Sequence, residues 1–149
     1  MSYNLNGAIE GGNVTLTSAA LTGLSGGATT HSITSCTQLV DGKFKTTAGS
    51  TVTPTTDAIT GLAFLPQAKN TACTYVWSST GSTVVHVSQG PIVAWTDTTA
   101  NSTAAPFPPG GCPSGDAPYA YVTIENGSTG SAFTIGTSNW NQTGIVTPA

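Results

Sequence analysis

Two histidines, six carboxylates and three cysteines carry most of the ionisable chemistry open to this chain. General-base or metal-ligand work by an imidazole would fall to His31 or His86. His86 sits in the run Val84-Val85-His86-Val87, where a half-buried structural histidine is the expected role, and His31 is expected at a surface or interface. Glu10, Asp41, Asp57, Asp97, Asp116 and Glu125 are scattered singly. Their spacing does not argue for the paired carboxylates of a glycosidase. The sequence has no Gly-x-Ser-x-Gly elbow of the hydrolase type. The stretch Gly110-Gly111-Cys112-Pro113-Ser114-Gly115 is rich in glycine, but it lacks a lysine and precedes no helical pattern, so it does not read as a phosphate cradle. The expectation is a protein without catalytic function, cofactor or bound metal.

Cys36, Cys73 and Cys112 lie far apart and form no Cys-x-x-Cys pair, which argues against a zinc knuckle or a thioredoxin-like site. Their expected role is as small buried apolar side chains. One disulfide, with Cys112 in its Pro-rich loop as a member, stays open as the alternative, and no pairing is assigned. Trp77, Trp95, Trp140, Tyr75, Tyr119 and Tyr121 admit two readings. Aromatic faces stack on sugars, but they also supply core and interface area in β-proteins.

These groups must be positioned by strands. Only 6% of the 149 residues are charged, where a soluble domain carries about 25%. Thr, Ser, Gly and Pro are abundant and Arg is missing, so the best helix formers are scarce. No helix beyond about two turns is expected. The three lysines, Lys43, Lys45 and Lys69, cannot build the basic face that phosphate neutralisation requires, so nucleic acid is not an expected partner. No apolar stretch is long enough to span a bilayer as a helix, and Met1-Ser2-Tyr3-Asn4-Leu5-Asn6 has neither a basic start nor an apolar core. Synthesis in a cytosol, with no membrane partner, is the expectation. The Asn-x-Ser/Thr triplets opened by Asn13, Asn101, Asn126 and Asn141 are read as chance matches in a chain rich in Ser and Thr.

Residues 1–27 are small, polar and Gly-rich, and read as an extended arm ahead of a β-domain over residues 28–149. Within the domain, Asp41-Gly42 is a hairpin-turn candidate between Gln38-Leu39-Val40 and Lys43-Phe44-Lys45. The clearest hairpin joins Cys73-Thr74-Tyr75-Val76-Trp77 to Thr83-Val84-Val85-His86-Val87-Ser88, which Gln89-Gly90-Pro91 breaks. Ile59 to Leu65 is apolar and ends at Pro66. The prolines between Ala104 and Pro113 exclude a central strand there. Tyr119 to Ile124 reads as a strong strand, and Ala132-Phe133-Thr134-Ile135 as a short one. The predicted class is all-β, a small antiparallel sandwich or barrel-like domain.

From Cys73 to about Gly144 each element is a generic strand or turn, and their order and spacing carry the information. The hairpin is followed by Pro106-Phe107-Pro108-Pro109-Gly110, then Tyr119-Ala120-Tyr121-Val122-Thr123-Ile124-Glu125-Asn126-Gly127, then Phe133-Thr134-Ile135-Gly136-Thr137. This order resembles that of head-decoration and head-fibre proteins of tailed bacteriophages. The insertion Cys112-Pro113-Ser114-Gly115-Asp116 departs from their compact pattern.

The resemblance implies a cement protein on the outer face of an icosahedral capsid, partnered by the major capsid protein and by itself as a homotrimer or dimer. The arm residues Tyr3, Leu5, Ile9, Val14, Leu16 and Leu21 are the expected contacts, through strand addition. A receptor- or glycan-binding fibre module is the alternative.

Overall fold

The computed structural model describes residues 13–17, 21–22, 31–95, 105–140 and 145–146. Its strands run β1 (Val14–Thr15), β2 (Leu21–Thr22), β3 (His31–Ile33), β4 (Cys36–Val40), β5 (Lys43–Thr47), β6 (Ser50–Val52), β7 (Thr71–Ser79), β8 (His86–Gln89), β9 (Val93–Ala94), β10 (Ala117–Asn126) and β11 (Ile145–Val146). No helix occurs among the described residues. All strand pairs are antiparallel, in sheets ordered β1-β4-β5, β2-β3-β6 and β11-β10-β7-β8, with β9 also paired to β7. The fold is all-β, of the small β-sandwich kind.

Local chemistry explains the strand ends. Asp41 and Gly42 both adopt positive φ, 52° and 71°, the geometry of a two-residue hairpin whose twist matches its strands. The predicted turn is therefore the observed one, with Val40 opposite Lys43. Strand β7 is flanked by β10 along its whole length and by β8 and β9 on its other side. It is buried on both faces from Ala72 to Ser79, which suits its β-branched and aromatic content. Gly90 ends β8 by donating its amide to the Thr74 carbonyl at 2.8 Å. A Cβ there would lie 2.4 Å from the Pro106 carbonyl oxygen, so only glycine fits.

The main core gathers Tyr75, Trp77, Val87, Val122, Ile124, Phe133, Ile135 and Trp140, with Ile33 and Cys36 contributed by the smaller sheets. A second, smaller cluster of Ala72, Trp95 and Ala105 covers the opposite face of β7. Trp77, Trp95, Trp140, Tyr75 and Tyr119 are all buried, so among the six candidate aromatics only Tyr121 is exposed. Cys36 and Cys73 are buried thiols, and Cys112 is a partly buried one; no disulfide joins them.

The interior is polar to an unusual degree for its size. Gln38 is fully buried, and its amide nitrogen donates to the Ala117 carbonyl at 2.9 Å and to Thr15 Oγ1 at 3.2 Å. Its amide oxygen accepts from Thr47 Oγ1 at 2.6 Å and Ser79 Oγ at 2.8 Å. One side chain thus ties β1, β4 and β5 to β7 and β10. Gln67 plays a similar part at the other end, donating to the carbonyls of Thr71 and Ile124 and exchanging backbone hydrogen bonds with Phe133.

Of the expected arm, Val14 lies in β1 opposite Leu39, Leu21 lies in β2 opposite Ile33, and the Leu16 amide donates to the Thr37 carbonyl. These three residues are engaged by their own chain. Tyr3, Leu5 and Ile9 lie outside the described residues.

Replacing Gln38 with leucine keeps the volume but deprives the Ala117 carbonyl of its side-chain donor and leaves the Thr47 and Ser79 hydroxyls, 2.6 Å apart, with one acceptor fewer between them. Each net hydrogen bond is worth about 1 kcal/mol, and orphaned buried groups cost more. Gln38→Leu should lower the unfolding free energy by about 3 kcal/mol in urea titrations; an unchanged midpoint would show that the network adds nothing.

Candidate functional site

Three of the described ionisable groups, His86, Asp116 and Cys112, come together at one place. His86, opening β8, places Nδ1 2.7 Å from Asp116 Oδ2, and Ser78 of β7 donates its hydroxyl to the same oxygen at 2.7 Å. The Asp116 side chain is 1% exposed and that of His86 36%. Asp116 reaches this position through a turn in which its amide donates to the Pro113 carbonyl, just before β10 begins.

Serine, histidine and aspartate are therefore together, but their wiring is not that of a nucleophilic triad. In acyl transfer the imidazole lies between hydroxyl and carboxylate, so that it can take the hydroxyl proton. Here both groups bind one carboxylate oxygen, and Ser78 is fully buried. The arrangement is a latch that fastens β8 and β7 to the loop entering β10. Cys112 lies beside it, with Sγ 3.9 Å from the Asp116 carbonyl oxygen. Burial, reinforced by the negative charge of Asp116, pushes the Cys112 thiol up. A reactive cysteine needs the opposite shift. His31 opens β3 opposite Val52, away from this cluster in the pairing scheme, and its side chain lies outside the described residues. No group of three or more His, Cys, Asp or Glu side chains suited to a metal ion occurs among the described residues.

The second feature is an apolar groove of about 650 Å³, within the ~300–1,000 Å³ span of ligand pockets. Leu16, Val76, Phe107, Pro118 and Tyr121 line it, and no lining residue is charged. Phe107 and Tyr121 meet edge to face with centroids 5.1 Å apart, and they are 55% and 63% exposed. A register shift in β10 between Pro118 and Ala120 turns Tyr119 into the core and leaves Tyr121 on the outside. Both threonine hydroxyls in the lining take part in hydrogen bonds: Thr15 Oγ1 donates to the Pro118 carbonyl, and Thr17 Oγ1 accepts from the Thr37 amide.

The third feature is the loop over residues 57–65, which covers β8 through the Ala58 amide donating to Val87. Asp57 organises it. Its carboxylate accepts from the Gln89 amide, the Thr60 amide and the Thr60 hydroxyl at 2.6–3.0 Å. Burial pushes the Asp57 carboxyl up, but these hydrogen bonds outweigh it and hold the group below its ordinary value. Gln89 also clasps Leu65 by accepting from its amide and donating to its carbonyl. The loop nonetheless leaves Leu62 68% and Leu65 65% exposed, with Ile59 at 40%.

Sequence reasoning singled out His86 and Tyr121 but missed Asp116, Ser78 and Phe107 as their companions. The run from Ile59 to Leu65 was the one available signal for the exposed loop. Comparison with known protein families, with curated proteins and with solved structures finds no match to this chain.

Cys73 yields a pH-dependent expectation. Burial raises its thiol from the ordinary 9.0 to about 11. The folded state keeps a proton that the unfolded state releases, so this contribution is intact below pH 9 and is lost as the pH climbs to about 11. Urea midpoints measured across that window should fall less for Cys73→Ala than for the wild type; parallel decline in both would assign the loss elsewhere.

Proposed function

We propose that this protein is a structural subunit that decorates the outer face of a tailed-phage capsid, binding the major capsid protein and other copies of itself. The observation that supports this reading best is what a rigid, nearly uncharged domain leaves in water. Phe44 (77% exposed), Leu62, Leu65, Val84, Phe107 and Tyr121 are all large apolar side chains on its surface. A domain with so few charges gains little colloidal protection in free solution, and apolar side chains on its surface suit contacts within an assembly.

Phe44 lies on β5, the outer strand of its sheet, between Lys43 and Lys45. Lysines on an outer strand discourage indiscriminate edge pairing, and Phe44 between them gives a specific apolar anchor for the shell. Tyr3, Leu5 and Ile9 are proposed as further shell contacts. Weak contacts repeated over several copies sum to tight attachment on a symmetric shell.

A glycan-binding role draws support from the Phe107–Tyr121 pair. Sugars also require polar partners, however, and the Thr15 hydroxyl beside this groove is already committed to Pro118 and Gln38. The shell-binding reading is therefore the stronger one.

The test uses purified empty capsids of the phage that encodes the chain. Added protein should sediment with them and raise the temperature at which they open. Phe44→Ser, or removal of residues 1–12, should lower occupancy about tenfold through lost avidity, with an unchanged unfolding transition. Binding to cells or glycans without any capsid affinity would replace this reading with the fibre one.

A further inference from the structure

Strand β10 ends in Asn126, and Gly127 follows it. An Asn-Gly pair carries its own hydrolytic chemistry, because glycine has no Cβ to keep its backbone nitrogen away from the asparagine side chain. The structure holds this pair in a clamp. Asn126 is fully buried, and its Nδ2 donates to the Gln67 carbonyl at 3.0 Å and to the Ser131 carbonyl at 2.8 Å. Both N–H bonds of the side-chain amide are thereby used. Its Oδ1 packs into the space that a side chain on Gly130 would fill. The cover over this clamp is thin: Ser128, Thr129, Ser131 and Ala132 are exposed, and the Gly130 amide donates to the Gly127 carbonyl at 3.2 Å.

We propose that Asn126 is a self-hydrolysing modification site, protected while the turn over residues 127–131 is closed and reactive when it opens. In the open state the Gly127 backbone nitrogen loses its proton to hydroxide and attacks Asn126 Cγ. The new N–C bond closes a five-membered succinimide, the Cγ–Nδ2 bond breaks, and Nδ2 leaves as ammonia. Water then adds to either ring carbonyl, and the ring opens to aspartate or isoaspartate at position 126. The sum is an amide and water giving a carboxylic acid and ammonia, with no oxidation or reduction.

The same geometry explains both the gate and its consequence. While Nδ2 is held by carbonyls from two separate segments, the side chain does not swing its Cγ onto its own backbone. Aspartate has no N–H to offer the Gln67 and Ser131 carbonyls, and its charge would be buried against them. Isoaspartate adds a methylene to the main chain where Asn126 pairs with Thr71 and Ile145. Conversion therefore makes a transient opening permanent. The site does not depend on the shell-binding reading, because it is tested on the free chain without capsids.

The experiment incubates the full chain in mildly alkaline buffer, with and without urea. Conversion at Asn126 is followed by peptide mass spectrometry and by enzymatic methylation of isoaspartate. The unfolded chain should convert at least about tenfold faster than the folded one, because local opening limits the reaction in the native state. Equal rates, or no conversion in urea, overturn the proposal. A Cβ at position 130 collides with Asn126 Oδ1, so Gly130→Ala loosens the clamp without touching the reacting pair. Shown to be folded by circular dichroism, this variant should convert about tenfold faster than the folded wild type; a wild-type rate overturns the gate. As a measurement that needs no variant, converted wild type separated by its added negative charge should unfold at lower urea than unconverted protein. An unchanged midpoint overturns the claim that conversion breaks the clamp.

Discussion

The structure depends on one buried amide. Gln38 has its polar atoms bonded to four groups from β1, β5, β7 and β10. In an apolar interior an amide left unpaired carries a cost of several kcal/mol on hydrocarbon transfer scales. That cost permits one arrangement of the sheets and penalises any sliding between them. The same logic recurs at Thr74, whose hydroxyl donates to the Ala105 carbonyl across the second face of β7, and in part at Gln67, whose amide nitrogen donates to the carbonyls of Thr71 and Ile124. Polar residues that dominate the composition therefore fix the interior as well as coating the exterior.

Much of this was legible in advance, and the reasons are local. Asp41-Gly42 announced its hairpin because few dipeptides accept two positive φ angles in succession. Gly90-Pro91 announced the end of β8. Tyr119 to Ile124 read as a strand, although β10 begins earlier, at Ala117, and accommodates Pro118 beside a register shift. What stayed hidden was long-range. The partners His86 and Asp116 stand 30 residues apart, and Gln38 and Ala117 stand 79 apart. Nothing in the immediate sequence of either announces the other. Nothing in the run Gln38-Leu39-Val40 marked Gln38 as a buried tie, whereas four hydrogen bonds place it at the centre.

The expected arm also changes meaning. Its described residues complete two sheets, and Thr15 bonds to both Gln38 and Pro118. A cut after residue 27 would remove part of the domain, whereas a cut after residue 12 spares β1 and β2. The surfaces that remain for partners are side-chain features held on well-fixed backbone: Phe44 on its strand, the aromatic pair beside β10, and the aliphatic loop clamped by Asp57.

The His86–Asp116 latch has a wider implication. Its carboxylate is out of reach of solvent, the Asp57 carboxylate is turned inward onto Gln89 and Thr60, and the cohesion described here comes from dispersion, apolar burial and hydrogen bonds inside the fold. Dissolved ions screen exposed charges over a Debye length but reach buried pairs much less, and excluded salts strengthen apolar burial. The folded chain should therefore pass between dilute fresh water and concentrated brine with little change in cohesion, a form of durability that surface ion pairs could not provide.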